Sequence, residues 1–220
     1  LKGGTREGYQ TFLNDPYDMI EESHAKYGKK KSNGKRTNEV IQQGLAEKRN
    51  ETFKVSLTKE FDLPILSLKQ LKVLENGIWD DQPTLKYESE FVIGRLARKI
   101  GPNYILEAGK LIGKQVDLKT LNQPRAFDIY MPHARAFKNN IIIHLPSGFE
   151  IQGLDKLNKK IENETGGFVS SAQVDGQVLK IQTYKYYTHS YEPLKQWGTM
   201  KRFLEEAYQF TQQKLLLKKK

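Results

Sequence analysis

Across most of the chain, apolar residues fall in short alternating or β-branched runs, and the gaps between runs are filled by Gly, Pro, Asn and Asp. This punctuated pattern predicts strands over residues 85–93, 104–112, 127–131, 141–145, 167–174 and 178–188. Turn residues separate them: Gly101-Pro102-Asn103, Gln123-Pro124, Lys138-Asn139-Asn140, Pro146-Ser147-Gly148 and Asp175-Gly176. Asp175-Gly176 lies between two alternating stretches and predicts a hairpin, with a type I′ turn needing positive φ at both central residues. Regular short strands with such turns predict an antiparallel β-sandwich rather than a βαβ fold.

Helical periodicity flanks this region. Asp15-Pro16 is a good N-cap and first-turn pair, followed by Tyr17, Ile20, His24 and Tyr27 at helical spacing, and Gly28 ends the segment. Thr37 can cap a second helix through Val40, Ile41 and Leu45. Phe53, Val55 and Leu57 alternate and predict the first strand. Near the other end, Pro193 opens an amphipathic helix reaching about residue 213, with Leu194, Trp197, Met200, Leu204, Ala207, Tyr208 and Thr211 on one face. The expectation is that this helix packs on its own sheet, with Trp197 deeply buried. Leu215, Leu216 and Leu217 read as a short extra strand. The fold class is therefore mainly β with flanking helices. Residues 1–67 form a helical segment or linker with a first strand, and residues 68–220 the β-sandwich domain with its terminal helix.

At 220 residues, 37% hydrophobic and 10% aromatic, the chain can bury a real core. No apolar run approaches the roughly 20 residues of a membrane-spanning helix. The net charge of +10 raises nucleic acid as a partner, but its distribution matters more than its sum. Lys26, Lys29, Lys30, Lys31, Lys35 and Arg36 form one basic cluster around Gly28, Ser32, Asn33 and Gly34. Lys29, Lys30, Lys31, Lys35 and Arg36 are candidate anion-binding residues on what reads as a solvated loop. No zinc-finger spacing, Walker loop or RNP-like aromatic pattern supports specific nucleic-acid readout.

The chain has no cysteine, so thiolate catalysis is excluded. Histidines 24, 133, 144 and 189 are too far apart in sequence to make a helical or loop-type metal pair. His144 shares strand parity with Ile142, and Ser147 lacks the Gly-x-Ser-x-Gly elbow of a serine nucleophile. Asp80 and Asp81, with Glu60, Asp62 and Glu75 near in sequence, lack EF-hand spacing. No catalytic residue, metal or cofactor is expected. Tyr184, Tyr186, Tyr187 and Tyr191 crowd one strand end near Trp197. Alternation puts Tyr184 and Tyr186 on one face and Tyr187 on the other. An open face would make them an aromatic platform, and a face under the terminal helix would make them core. Tyr184, Tyr186, Tyr191 and Trp197 are the candidate partner-binding residues.

The order of motifs after residue 68 resembles the C-terminal, non-catalytic β-domain of bacterial transglutaminase/protease-like proteins. A strand ending in Leu145-Pro146-Ser147-Gly148-Phe149 is followed by Gly166-Gly167-Phe168, a hairpin, a helix and a basic tail. Residues 125–129 resemble the Arg-led strand that precedes the turn in that family. The resemblance implies a non-enzymatic accessory domain of an exported protein, at the periplasm or cell surface. Such a domain would dock on an upstream catalytic domain of the same chain, or hold a protein or glycan partner. The chain opens at Leu1 with no charged-then-apolar leader, which fits a processed protein or a fragment; the resemblance favours the fragment. The competing reading is a stand-alone basic module contacting nucleic acid or anionic surfaces through the Lys26 to Arg36 loop.

Overall fold

The computed structural model describes residues 35–76, 84–120 and 125–220. They fall in two compact units: residues 60–63 and 95–220 make one, and the rest of the described chain the other. In the latter, helix α1 (Lys35–Phe61) supplies residues up to 59 and is accompanied by an antiparallel ribbon of β1 (Ile65–Asn76) and β2 (Leu85–Ile93). The strand expected at 53–57 is part of α1 instead. Phe53 and Leu57 are both buried while Val55 is half exposed, and Phe53 meets the Tyr87 ring edge-on at 5.5 Å. A five-residue alternation contains an i, i+4 pair, so Phe53 and Leu57 suit one helix face as well as a strand face, while Val55 turns away. β1 escaped the sequence pattern because its register shifts three times against β2, which breaks the two-residue period. A domain boundary at 67/68 would cut this strand; the observed division falls at 94/95. The helix expected at 15–27 lies outside the described residues.

The larger unit contains β3 (Ala97–Ile100), β4 (Asn103–Leu106), β5 (Ile129–Tyr130), β6 (Ala136–His144), β7 (Phe149–Gln152), β8 (Lys159–Asn163), β9 (Gly166–Asp175) and β10 (Val178–Tyr187). After them come β11 (Tyr191–Glu192), α2 (Trp197–Thr211) and β12 (Leu215–Lys219). One four-stranded sheet has the order β6-β10-β9-β8 and the other β3-β4-β12-β7, with β11-β5 a separate two-stranded ribbon. Every pairing is antiparallel. A single core draws Leu179, Ile181 and Phe168 from the first sheet, Leu106, Leu215 and Leu217 from the second, and Met200, Phe203, Leu204, Ala207 and Phe210 from α2. The fold is thus an antiparallel β-sandwich with its helix built into the core. Leu145-Pro146-Ser147-Gly148 is the link by which the chain leaves β6 in one sheet and enters β7 in the other.

Several boundaries differ from the pattern. The expected strand 104–112 ends at Leu106, and Ala108–Ile112 coils into a 3-10 helix whose Ala108 and Ile112 are buried. Only Ile129–Tyr130 pairs within 127–131. The β9–β10 hairpin forms where expected, but its loop is Gly176-Gln177, since Asp175 pairs with Val178. Positive φ is needed only at Gly176, at 59°, the demand of a II′-like turn with glycine first. Trp197 is only partly buried, and the fully buried large side chains of the helix are Met200, Phe203 and Phe210.

Candidate ligand-binding face

Strand β10 sorts its side chains by parity. Leu179, Ile181, Thr183 and Lys185 point to the core, and Gln182 and Tyr184 face solvent. The terminal helix packs on the core side, where Phe210 meets Phe168 at 5.4 Å and Phe203 meets Tyr187 at 5.5 Å. The opposite face of β6-β10-β9-β8 therefore stays open, with Tyr184 43% exposed. Register places Lys138, Tyr184, Val169 and Lys160 in one cross-sheet row, and Ala136, Tyr186, Gly167 and Glu162 in the next. A third row holds Asn140, Gln182 and Ser171.

The two tyrosine rings stack at 5.1 Å with 24° between their planes. Gly167 permits this, because a Cβ there would stand 2.8 Å from Tyr186 Cε1. Its neighbour Gly166 is constrained more tightly still, since a Cβ there would collide with the Tyr186 carbonyl oxygen. Tyr186 Oη donates to Glu162 Oε1 at 3.2 Å, and Lys160 Nζ pairs with the other carboxylate oxygen at 3.2 Å. Desolvation, then the Glu162 charge, pushes the Tyr186 hydroxyl above the ordinary phenol range, which keeps it a donor. The result is a flat aromatic pair bordered by amide, hydroxyl, amine and carboxylate groups.

The other two expected partner-binding residues lie apart from this pair. Tyr191 sits on β11 opposite Tyr130 of β5, and its hydroxyl donates to Asp128 Oδ2 at 2.5 Å. The Leu194 N–H donates to Asp128 Oδ1 at 2.7 Å. Those two bonds, the tyrosine's first, hold the Asp128 carboxyl below the usual carboxylate range. Trp197 opens α2 with the Arg125 guanidinium 5.2 Å from its ring. Phe127 and Tyr130, 81% and 74% exposed, belong to the same neighbourhood and were not singled out by the sequence.

A second unanticipated feature is Lys185, only 8% exposed on the core side of β10. Its Nζ donates to Gln115 Oε1 at 2.7 Å and lies 5.7 Å from the Phe137 ring and 5.4 Å from that of Tyr187. Arg135 stands 5.5 Å from the same Tyr187 ring. Burial, and secondarily the like charge of Arg135, lowers the Lys185 pKa to about 8. Parity alone signals this residue: it continues the series Leu179, Ile181, Thr183 that the strand turns inward. Gln115 also lines a groove of about 650 Å³ with Lys110, Lys114, Asp117 and Tyr208.

Of the candidate anion-binding residues, Lys29, Lys30 and Lys31 lie outside the described residues, and Lys35 and Arg36 begin α1. His144 is exposed at the end of β6, on the Ile142 side of the sheet, and Ser147 is exposed in the inter-sheet turn. Asp80 and Asp81 are outside the described residues. Among the described residues, no three His, Asp or Glu side chains gather to hold a metal, and no helix is long and apolar enough to cross a membrane. No protein-family model matches the chain, and no characterised protein or solved structure is significantly similar to it.

Proposed function

We propose that this chain is a non-catalytic β-sandwich binding domain that holds a glycan on the open face of β6-β10-β9-β8. Its setting would be an exported transglutaminase/protease-like protein, as an accessory to the catalytic domain of the same chain. The observation that carries the binding reading is the outward Tyr184–Tyr186 pair, seated over a glycine and left uncovered by the helix. Aromatic faces receive the apolar C–H face of a sugar ring, and neighbouring amides and hydroxyls answer its hydroxyl groups. Asn140, Gln182 and Ser171 provide the neutral polar row, and Glu162 and Lys160 provide charged hydrogen-bonding groups at the edge. The neutral row, together with a Lys160 whose charge is answered by Glu162, suits a hydroxyl-rich ligand better than a phosphate backbone. Lys138 is the one lysine of the Tyr184 row left to bind an acidic substituent. With no cysteine, the chain cannot supply a thiolate nucleophile of its own.

The test is affinity electrophoresis and calorimetry of the full chain against bacterial cell-wall glycan and neutral polysaccharides, followed by Tyr184→Ala. Loss of about tenfold in affinity, equivalent to ~1.4 kcal/mol, with little dependence on salt, would support the platform. Binding only to single-stranded nucleic acid, falling steeply with salt and indifferent to Tyr184, would instead point to the basic cluster as the working surface.

A further inference from the structure

The Lys185 amine is in an unusual position for a structural lysine. It lies on the core side of a central strand, has a neutral amide oxygen as its hydrogen-bond acceptor, and is flanked by Phe137 and Tyr187. The charge that acts on it is that of Arg135, which is repulsive; no carboxylate or histidine is paired with it among the described residues. Lysines that serve only packing normally carry the ammonium to water or to an acid. This one does neither, and its acceptor Gln115 also lines the groove shared with Lys110, Lys114 and Tyr208.

We propose that Lys185 is a carbamylation site, whose amine adds carbon dioxide entering past Gln115. The ammonium first gives a proton to solvent. The nitrogen lone pair then attacks the carbon of CO2, one C=O π bond breaks, and the nitrogen sheds a second proton. The product is the carbamate, Lys–NH–COO⁻, with no oxidant, reductant or leaving group required. Three features select this electrophile. First, Lys185 as a residue is only 8% exposed, so its amine admits only a small molecule. Second, imine formation with an aldehyde or ketone must expel water from a carbinolamine, a step that needs a nearby acid; CO2 addition expels nothing. Third, the carbamate places a negative charge where Arg135 now faces a like charge, so modification turns a repulsion into an attraction. The neutral amine becomes abundant near pH 8, within reach of physiological conditions.

The experiment incubates the full chain with ¹³C-bicarbonate between pH 7.5 and 8.5, records carbamate resonances, and traps the adduct by alkylation for peptide mass mapping. The expected result is a trapped carbamate on the Lys185 peptide, lost in Lys185→Met and diminished in Arg135→Gln. The N-terminal amine serves as an internal reference in all three proteins. The proposal is overturned if the Lys185 peptide carries no trapped adduct while the N-terminus does, or if Arg135→Gln leaves its occupancy unchanged. Circular dichroism on each variant establishes that the comparison is between folded proteins. The result is independent of whether Tyr184 and Tyr186 bind a glycan.

Discussion

Lys185 shows how one residue can run against the stability of the fold that contains it. Its pKa falls from 10.5 to about 8 on folding, so between those values the unfolded chain holds a proton that the native state has released. Stability therefore rises with pH across that window, and below about pH 8, where both states are protonated, the full cost of the buried ammonium is present. The difference corresponds to ~3 kcal/mol at most. In CO2-free buffer, urea midpoints should increase from pH 7.5 to 9.5 and the increase should vanish in Lys185→Met. That variant should also be more stable at pH 7 by about 1–2 kcal/mol, because Gln115 loses a donor and offsets part of the gain. A pH-independent midpoint in the parent protein would show the amine to be hydrated. Gly167 makes the opposite point: a methyl group there meets both Tyr186 and the Ile161 carbonyl, at 2.8 and 3.0 Å. Gly167→Ala should cost about 1–3 kcal/mol and weaken the near-ultraviolet signal of the stacked tyrosines. Gly167 stands out in the sequence by its Gly-Gly-Phe setting, whereas Lys185 was not singled out although its strand parity turns it inward; the ring lying over Gly167 depends on cross-strand register.

At the level of elements, legibility followed regularity. β2 and most of β10 keep a two-residue period, and β9 is bracketed by Gly166-Gly167 and the Asp175-Gly176 turn; all three are readable to within a residue or so. β1 interrupts its period with bulges and was not recognised. In α2 the stripe included Met200, Leu204, Ala207 and Thr211 but missed Phe203 and Phe210, the two rings that are fully buried. The cause is local geometry. Leu194–Gln196 forms a 3-10 turn at three residues per turn, so a phase carried forward from Leu194 and Trp197 drifts against the α-helix that follows. The energetic ranking should follow the structure rather than residue size. Phe203→Ala or Phe210→Ala should each cost about 3–5 kcal/mol, whereas Trp197→Ala, at a partly exposed position packed by Arg125, should cost about 1–2 kcal/mol. Urea denaturation of the three variants measures the order, and a larger loss at Trp197 than at either phenylalanine would refute it.

At the scale of the whole molecule, the net charge of +10 said little about the site, since the open sheet face mixes lysines with Glu162 and a neutral polar row. What decided the candidate face was which side of the sheet the terminal helix covers, a long-range fact that strand parity cannot supply. The same long-range packing fixes what can fold alone. All members of the central core lie between Leu106 and Leu217, and β12 sits between β4 and β7. A fragment of residues 95–220 should therefore unfold cooperatively and keep the binding behaviour of Tyr184 and Tyr186. It would lose the Asp62–Lys110 ion pair, at 2.8 Å, and the hydrogen bond from the Lys114 N–H to the Glu60 carbonyl. Asp62 is largely exposed, so the pair should contribute no more than about 1 kcal/mol. Removal of residues 193–220 is a far larger insult, because it deletes the helix anchors and an interior strand together. The first fragment should give a single sigmoidal urea transition with native near-ultraviolet dichroism, and the second should aggregate. If residues 95–220 instead unfold without cooperativity, the segment at 60–63 is part of the folding nucleus, and the core cluster is insufficient to define the domain.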